Sequence, residues 1–442
     1  MNHINPMNGL LGFCVADALG VPVEFNQRRV LSTNPVREMR GNGTHDQEPG
    51  TWSDDSSQLF CVTESLCDGY NLEAIAENLK RWYYDNYWTA RGRVFDVGAT
   101  TYSALEMLRL GVHPSKSGAD DVMDNGNGSL MRSLPLAYIL KDEWDFKYRQ
   151  KIVHEVSAIT HAHRIAQIAC MIYVEFAIQL LHGETKESAY DYCQQVAKAF
   201  YDNNRDKDNL SLFNRIINHK IYEYEEHEID SSGFAVDTLE ACFWSLFRGE
   251  NYYESVLLAV NLGNDTDTIG ALTGGLAGII YGASDIPREW VDEVARLNDI
   301  MALSKKFERK LSIYVKSDTD NLLVDELGGH NIESVKRILS FYAYFNDPNF
   351  EFNEKIARLF RQSLIKEGLI LTSFDWPNWD KGRYIFRHPE RINDCDFVTL
   401  TKLLTAVIRN DRFCSGAYFS CVRNGSIKLI LRRMNEIVDN LK

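Results

Sequence analysis

Two short stretches of the chain concentrate carboxylates and hydroxyls. The first is Gly50-Thr51-Trp52-Ser53-Asp54-Asp55-Ser56-Ser57, the second Gly263-Asn264-Asp265-Thr266-Asp267-Thr268-Ile269-Gly270. Each opens a helical stretch, where Ser and Asp also serve as N-caps and first-turn acids suit the helix dipole. Capping accounts for either cluster alone. Together they ask for more, because four carboxylates and two hydroxyls converge if the two helices pack side by side. Four anions so close repel strongly unless cations neutralise them. All-oxygen donors select Mg²⁺ or Mn²⁺ rather than zinc. Two such ions balance four carboxylates, the pattern of a two-metal site with a spacing of about 3.5–4 Å.

Other metal motifs fit badly. An EF-hand loop starting at Asp265 has Gly270 correctly at its sixth position. Its fifth, however, is Ile269 and its twelfth Leu276, so the oxygen cage is incomplete. A phosphohydrolase with an Asp-x-Asp nucleophile pair is the weaker alternative. Such pairs close a hydrophobic parallel strand, and here Leu262-Gly263-Asn264 follows a helix. A third candidate is Asn125-Gly126-Asn127-Gly128-Ser129. A glycine-rich loop before a helix offers backbone N–H groups to a phosphate, although Asn-Gly repeats are also plain turns. His161 and His163 form an H-x-H without a third ligand, a structural pair rather than a zinc site.

These residues need elements to hold them. Apolar positions recur with helical spacing from Leu10 to Ala18, where Gly20-Val21-Pro22 ends the segment. The same rhythm predicts helices over Gln58–Cys67, Leu72–Tyr84, Thr101–Leu110, Ile165–Leu181, Ser188–Tyr201, Val236–Phe247 and Ser255–Leu262. Period-2 alternation is scarce, and the reading is a compact all-α domain. Charge then divides the chain. Residues 331–442 carry 18 Lys+Arg against 13 Asp+Glu, net +5, which leaves 30 against 49, net −19, for residues 1–330. So sharp a shift predicts two modules: a catalytic domain over 1–316, a linker over 317–330 and an accessory domain over 331–442. The second module reads as a smaller mixed α/β domain, with helices over Ile332–Tyr344, Phe352–Glu367 and Leu400–Arg409 and a short strand at Gly382–Phe386.

Composition excludes other classes. A hydrophobic fraction of 45% with 12% aromatics rules out a mainly disordered chain. A net charge of −14 argues against a general nucleic-acid surface. Nine cysteines without a C-x-x-C indicate neither a zinc knuckle nor a disulfide framework. No basic stretch precedes an apolar run at the N-terminus, and the longest small-apolar stretch, Ile269–Gly282, is shorter than a membrane span of about 20 residues. The expectation is a cytoplasmic protein without a membrane partner. Nothing in the chain specifies an oligomeric state.

Seven blocks in a fixed order resemble the ADP-ribosylglycohydrolase family, which contains dinitrogenase reductase-activating glycohydrolase and the ADP-ribosyl-acceptor hydrolases. They begin with Gly12-Phe13-Cys14-Val15-Ala16-Asp17-Ala18-Leu19-Gly20 and Pro22-Val23-Glu24-Phe25. Trp52-Ser53-Asp54-Asp55-Ser56, Phe95-Asp96-Val97-Gly98-Ala99-Thr100-Thr101 and Asn125-Gly126-Asn127-Gly128-Ser129-Leu130-Met131-Arg132 follow. Thr160-His161-Ala162-His163 and Asn264-Asp265-Thr266-Asp267-Thr268-Ile269-Gly270 complete the series.

The resemblance implies an all-α fold with two Mg²⁺, or Mn²⁺, at the base of an ADP-ribose cleft. It carries the metal ligands onto Ser53, Asp54, Asp55, Asp265, Asp267 and Thr268, with Ser53 where many relatives have Thr. Glu24, otherwise a solvated acid after a proline turn, would approach a metal and the ribose on a mobile loop, with residues 26–50 as that lid or its hinge. Asp96, otherwise a cap, would face the scissile bond as in arginine-directed relatives. Catalytic work therefore falls to Glu24 and Asp96. Gly98 and the Asn125, Gly126, Asn127, Gly128, Ser129 loop would bind substrate, the loop as pyrophosphate cradle, with Met131 and His161 beside it.

The implied reaction is metal-dependent removal of ADP-ribose from a modified macromolecule, an arginine-linked protein being favoured. The charge of the first module suits a cationic target, and equally an ordinary acidic enzyme. The rival is an immunity or binding protein that neutralises an ADP-ribosylating toxin or holds ADP-ribose. The intact acids Glu24, Asp54, Asp55, Asp265 and Asp267 argue against a dead site. The second module, with Phe374-Asp375-Trp376-Pro377-Asn378-Trp379 and Arg409-Asn410-Asp411-Arg412-Phe413-Cys414-Ser415-Gly416, is similar to a small bacterial domain of no assigned function. Its aromatic residues read as packing.

Overall fold

The structure, a computed structural model, describes residues 5–143, 146–203, 205–319, 327, 330, 332–348, 350–371, 374, 376, 379–411 and 416–439. The chain divides into two units, Met1–Leu311 and Ser312–Lys442. Among the described residues there is no strand, only isolated bridges such as Ala119–His161 and Gly126–Phe234.

In the first unit the apolar rhythm translates into helices Asp54–Leu66, Leu72–Asp85, Ala99–Arg109, Arg164–Leu181, Lys186–Tyr201, Ala235–Arg248 and Tyr252–Asn261. All but Leu72–Asp85, which starts where expected, begin one to four residues before their apolar face, because caps and first turns are polar. Asn71, Thr185 and Asn251 accept N–H bonds from the first turns of their helices. Helices Leu134–Leu140, Phe146–Ala158 and Leu297–Thr319 are additions to the sequence reading.

The frame of the unit is the pair Pro6–Gly20 and Thr266–Tyr281. Both helices are apolar and almost wholly buried. They approach so closely that a Cβ on Gly274 would lie 2.4 Å from Gly12 O, and one on Gly278 would lie 2.1 Å from Asn8 O. Near the other end a Cβ on Gly20 would lie 2.5 Å from Asp267 Cα. Thr266 Oγ1 donates to Gly20 O at 2.8 Å and ties those ends together. The small residues thus bring the end of one helix against the acidic start of the other. Gly274→Ala is expected to cost about 1–3 kcal/mol of stability by overpacking. Urea unfolding measures it; an unchanged midpoint would show the contact to be slack.

Two helical stretches, Pro6–Val23 and Arg164–Leu181, have the length and hydropathy of a membrane span, but 94% and 89% of their residues are buried inside the protein. They are core helices of the unit. Inside that core Arg149 and Glu175 form a paired bridge with contacts of 2.5 and 2.9 Å, and both side chains are buried. The eight described cysteines carry free thiols.

In the second unit the described residues form helices Ile332–Leu339, Tyr342–Phe345, Glu354–Lys366, Asp380–Arg387, Phe397–Asn410, Ala417–Arg423 and Ser426–Asp439. The mixed α/β expectation is corrected here. Gly382–Phe386 lies inside a helix, with Gly382 and Ile385 buried and Arg383 and Tyr384 exposed. A spacing of three puts the buried pair on one helical face, whereas a strand would bury alternate residues. Trp379 packs edge-on to Phe374 at 5.1 Å and covers Gly382. Asp375, Pro377 and Asn378, residues 412–415, and residues 320–326, 328 and 329 of the expected linker lie outside the described residues. Residues 317–319 end the Leu297–Thr319 helix.

Candidate active site

Asp54–Leu66 begins at Ser53, whose Oγ accepts from Asp55 N at 3.1 Å and donates to Asp55 Oδ2 at 2.8 Å. The turn is held from below by Asp17, a carboxylate inside the apolar Pro6–Gly20 helix. Asp17 accepts from Ser53 N at 3.0 and 3.2 Å, from Ser56 N at 3.0 Å and from Ser56 Oγ at 2.5 Å. The second acidic turn opens Thr266–Tyr281. There Thr268 N donates to Asp267 Oδ1 at 2.9 Å, and Thr268 Oγ1 crosses to Asp55 Oδ2 at 3.3 Å. Asn127 and Asp265 are joined by a short side-chain hydrogen bond, and Asp265 N donates to Ser231 O at 3.1 Å.

The carboxylates converge in three overlapping groups, each with ligand atoms within 4.8 Å of one another: Asp17, Asp55 and Asp267; Glu24, Asp265 and Asp267; and Glu24, His45 and Asp96. Asp55, Asp267 and Glu24 are buried, while Asp54, Asp265 and Asp96 are mostly buried with a small exposed part. Burial, then repulsion from neighbouring acids, raises the pKa of Asp54, Asp55 and Asp267 well above the usual carboxylate range. Burial also raises Asp265, against hydrogen bonds led by Asn127. Asp17 is pushed up to about 6 by burial, opposed by its serine hydrogen bonds. Buried Asp55 Oδ1 has no hydrogen-bond partner. Oxygen donors that repel one another around an unpartnered buried oxygen fit a hard divalent cation.

Glu24 follows the first helix through a short 3₁₀ turn, Val21–Val23. Its carboxylate is bonded to His45 Nε2, and its carbonyl accepts from Thr44 Oγ1 at 2.6 Å. Burial pushes Glu24 up to about 7; the His45 hydrogen bond pulls it down, and Asp96 and Asp265 push it further up. The same bond raises His45 above its ordinary value.

The 125–129 loop is pinned at alternate points. Asn127 N donates to Gly233 O at 3.0 Å, and Ala235 N to Asn125 O at 3.0 Å. Among the described residues no backbone carbonyl accepts from the N–H groups of Gly126, Gly128 and Ser129, and a glycine-rich loop of this kind can offer such groups to an anion. Buried Arg132 sets the loop by donating to Gly128 O at 2.9 Å, Gln58 Oε1 at 2.8 Å and Thr160 Oγ1 at 2.6 Å. The His161 ring lies beneath: a Cβ on Gly128 would come within 2.8 Å of it. Burial, with Arg132 nearby, lowers the His161 pKa to about 3, so it is a neutral imidazole.

The structure therefore brings together Ser53, Asp54, Asp55, Asp265, Asp267, Thr268, Glu24 and Asp96, with Asn127 bonded to Asp265. Others stand apart. Ser129 Oγ is turned inward, against Ser157 Oγ at 2.9 Å. Met131 packs into the core. Gly98 is exposed, with open space where a Cβ would be. His163 stands at the N-cap of Arg164–Leu181, and its Nδ1 donates to Asn125 Oδ1 at 2.9 Å, a structural role. Asp17 and His45 were missed by sequence reasoning. A lone acid in an otherwise apolar helix was the signal for Asp17. His45 sits in a polar loop where nothing marks it.

Comparison with known proteins places this arrangement. The family model described as ADP-ribosylglycohydrolase matches residues 7–316. A second, described as a family of unknown function (DUF6508), matches 333–440. The ADP-ribosylarginine hydrolase Tri1 of Serratia proteamaculans is 31% identical over 303 residues, 67% of this chain and 77% of that protein. The protein of that name from Pseudomonas putida is 32% identical, over 68% of this chain and 77% of its own length. The ADP-ribosyl-[dinitrogen reductase] glycohydrolase of Rhodospirillum rubrum is 28% identical, over 66% and 90%. A solved structure titled ADP-ribosylglycohydrolase-related protein complex superposes with a TM-score of 0.58 at 30% identity, covering 70% of this chain and 99% of that one.

Proposed function

The chain belongs to the ADP-ribosylglycohydrolase family, and we propose that it hydrolyses the N-glycosidic bond between ADP-ribose and an arginine side chain of a modified protein. The observation that carries the arginine assignment is the placement of Asp96, whose carboxylate shares one cluster with Glu24 and His45 at the edge of the acidic site. A guanidinium leaving group needs an anion there. The relatives named as ADP-ribosylarginine hydrolases support the same acceptor.

Cleavage at C1″ of the distal ribose passes through a cationic, oxocarbenium-like state. The surrounding carboxylates stabilise that charge in a site largely withdrawn from water. Glu24, whose carboxylate lies within 4.8 Å of those of Asp265 and Asp267, is placed to take a proton from a water. His45 fixes its orientation. The N–H groups of Gly126, Gly128 and Ser129 receive the pyrophosphate. Ser53, Asp54, Asp55, Asp265, Asp267 and Thr268, with Asp17 behind them, would hold one or two Mg²⁺ or Mn²⁺. When bound, the metal supplies Lewis acidity and orients ribose hydroxyls. We further propose a reducing, cytoplasmic location, to which the free thiols of the eight described cysteines are suited.

The test is release of ADP-ribose by the full chain from arginine-, serine- and nucleobase-linked substrates, with Mg²⁺ and with EDTA. Mg²⁺-dependent release from the arginine linkage supports the proposal. Release from another linkage alone, or binding of ADP-ribose without release from any, overturns it. His45→Leu is expected to move the acidic limb of the pH–rate profile to higher pH, because the hydrogen bond that lowers Glu24 is lost. An unmoved limb would remove Glu24 as the titrating base.

A further inference from the structure

Three rings make a row of contacts beside Glu24, Phe25 to His45 and His45 to Phe95. The His45 ring centroid lies 6.0 Å from that of Phe25 and 5.3 Å from that of Phe95, tilted by 55° and 56°. Phe25 is 66% exposed. Its φ is +63°, a region bulky L-residues rarely adopt. Two backbone hydrogen bonds hold it there: Phe25 N donates to Asn264 O at 2.6 Å, and Asn264 N to Asn26 O at 2.8 Å. The clamp ties the ring to the second acidic turn and keeps it turned out of the core. Core packing therefore does not explain why the residue is a phenylalanine. The Glu24 and Asp96 carboxylates lie within 4.8 Å of each other and of a His45 ring nitrogen, so the row adjoins both.

We propose that the Phe25–His45–Phe95 row, with Asp96, is the seat of the acceptor guanidinium. Aromatic faces next to carboxylates suit one ligand chemistry in particular. A guanidinium is planar, permanently charged and weakly hydrated, so it stacks on rings while its fork pairs with a carboxylate. A serine hydroxyl has neither the flat face nor the charge, and a primary ammonium has the charge without the face. The row thus selects the acceptor by shape as well as by sign. This rests on the arginine-directed reading above and extends it from Asp96 to the two phenylalanines.

The experiment titrates agmatine, a free guanidinium, into the full chain saturated with ADP-ribose and Mg²⁺, with butylamine as the non-planar cation. Wild type is compared with Phe25→Leu/Phe95→Leu, which keeps apolar bulk and removes both ring faces. Agmatine affinity is expected to fall about tenfold in the double variant, with butylamine affinity changing much less. ADP-ribose affinity, measured first, is expected to stay as in wild type and reports that the variant is folded. Equal agmatine affinity in the two proteins overturns the proposal, as does absence of agmatine binding to wild type. A parallel loss of ADP-ribose affinity also overturns it, since the rings would then hold the nucleotide. Failure of the arginine reading looks different: wild type releases nothing from ADP-ribosyl-arginine, whatever agmatine does. Ring-dependent agmatine binding in that case leaves the seat standing without the reaction.

Discussion

Asp267→Asn is expected to lower Mg²⁺-dependent release of ADP-ribose by about a thousandfold and, in the same protein, to raise the melting temperature measured in EDTA at pH 8, where the wild-type cluster carries most charge. Both effects follow from one charge. Asp267 belongs to two of the three carboxylate groups, with Asp17 and Asp55 and with Glu24 and Asp265. Asparagine preserves its volume and can still accept from Thr268 N through Oδ1, so neither cavity nor lost cap confuses the result. What disappears is a negative charge at the crossing of the cluster. With a cation bound, that charge is a ligand and its loss removes preorganised stabilisation of the transition state. Without one, it is a buried anion among anions, and its loss relieves repulsion. Wild-type turnover in the variant would sink the assignment of this cluster to catalysis. The variant also separates the rival reading, since a protein that neutralises a toxin by stoichiometric binding should still protect.

The second large effect is on stability against pH. In EDTA the protein is expected to lose stability as pH rises from about 5 to 8. Asp17 is pushed up to about 6 and Glu24 to about 7, and burial raises Asp55 and Asp267 well above the usual carboxylate range. In the unfolded chain such groups titrate near pH 4. Between these limits the folded protein binds more protons than the unfolded one. The stability is therefore fully present below about pH 4 and is lost as pH rises through the folded values. A shift like that of Glu24 alone is worth on the order of 3 kcal/mol. Mg²⁺ should restore the loss at pH 8, by about 2.7 kcal/mol at a concentration of roughly 100 times its dissociation constant. It should do little at pH 5, where protons compete for the ligands. Thermal melting across this range, with EDTA and with Mg²⁺, decides it. A melting temperature that climbs with pH in EDTA would show that the carboxylates are compensated by the protein itself.

Much of the fold was legible because helical burial leaves a local mark. The apolar rhythm of Arg164–Leu181 or Ala235–Arg248 is visible in the residues themselves, and polar starts such as Asn71 and Asn251 announce their helices. The weaker reading came where the same residues serve either period. Gly382–Phe386 has a strand-like composition, and only the neighbours it packs against make it a helical face. Of the site, the two acidic turns and the glycine loop were legible from residue type and spacing. The direction of individual side chains was not: Ser129 turns inward and Met131 joins the core, although their loop lies at the site.

The sequence by itself determined the ligand chemistry, because four carboxylates and two hydroxyls at helix starts are oxygen donors in any arrangement. It also carried the family resemblance and the division of charge. Only the tertiary structure decided that the donors form one site. Their meeting depends on the Pro6–Gly20 and Thr266–Tyr281 helices touching through glycines, and contacts between residues some 250 positions apart leave no periodic signal. It likewise decided that Asp17 is a support, that His45 holds Glu24 and that Phe25 stands exposed beside them. Each of those roles is set by a partner distant in the chain, through distances and burial that residue order alone does not contain.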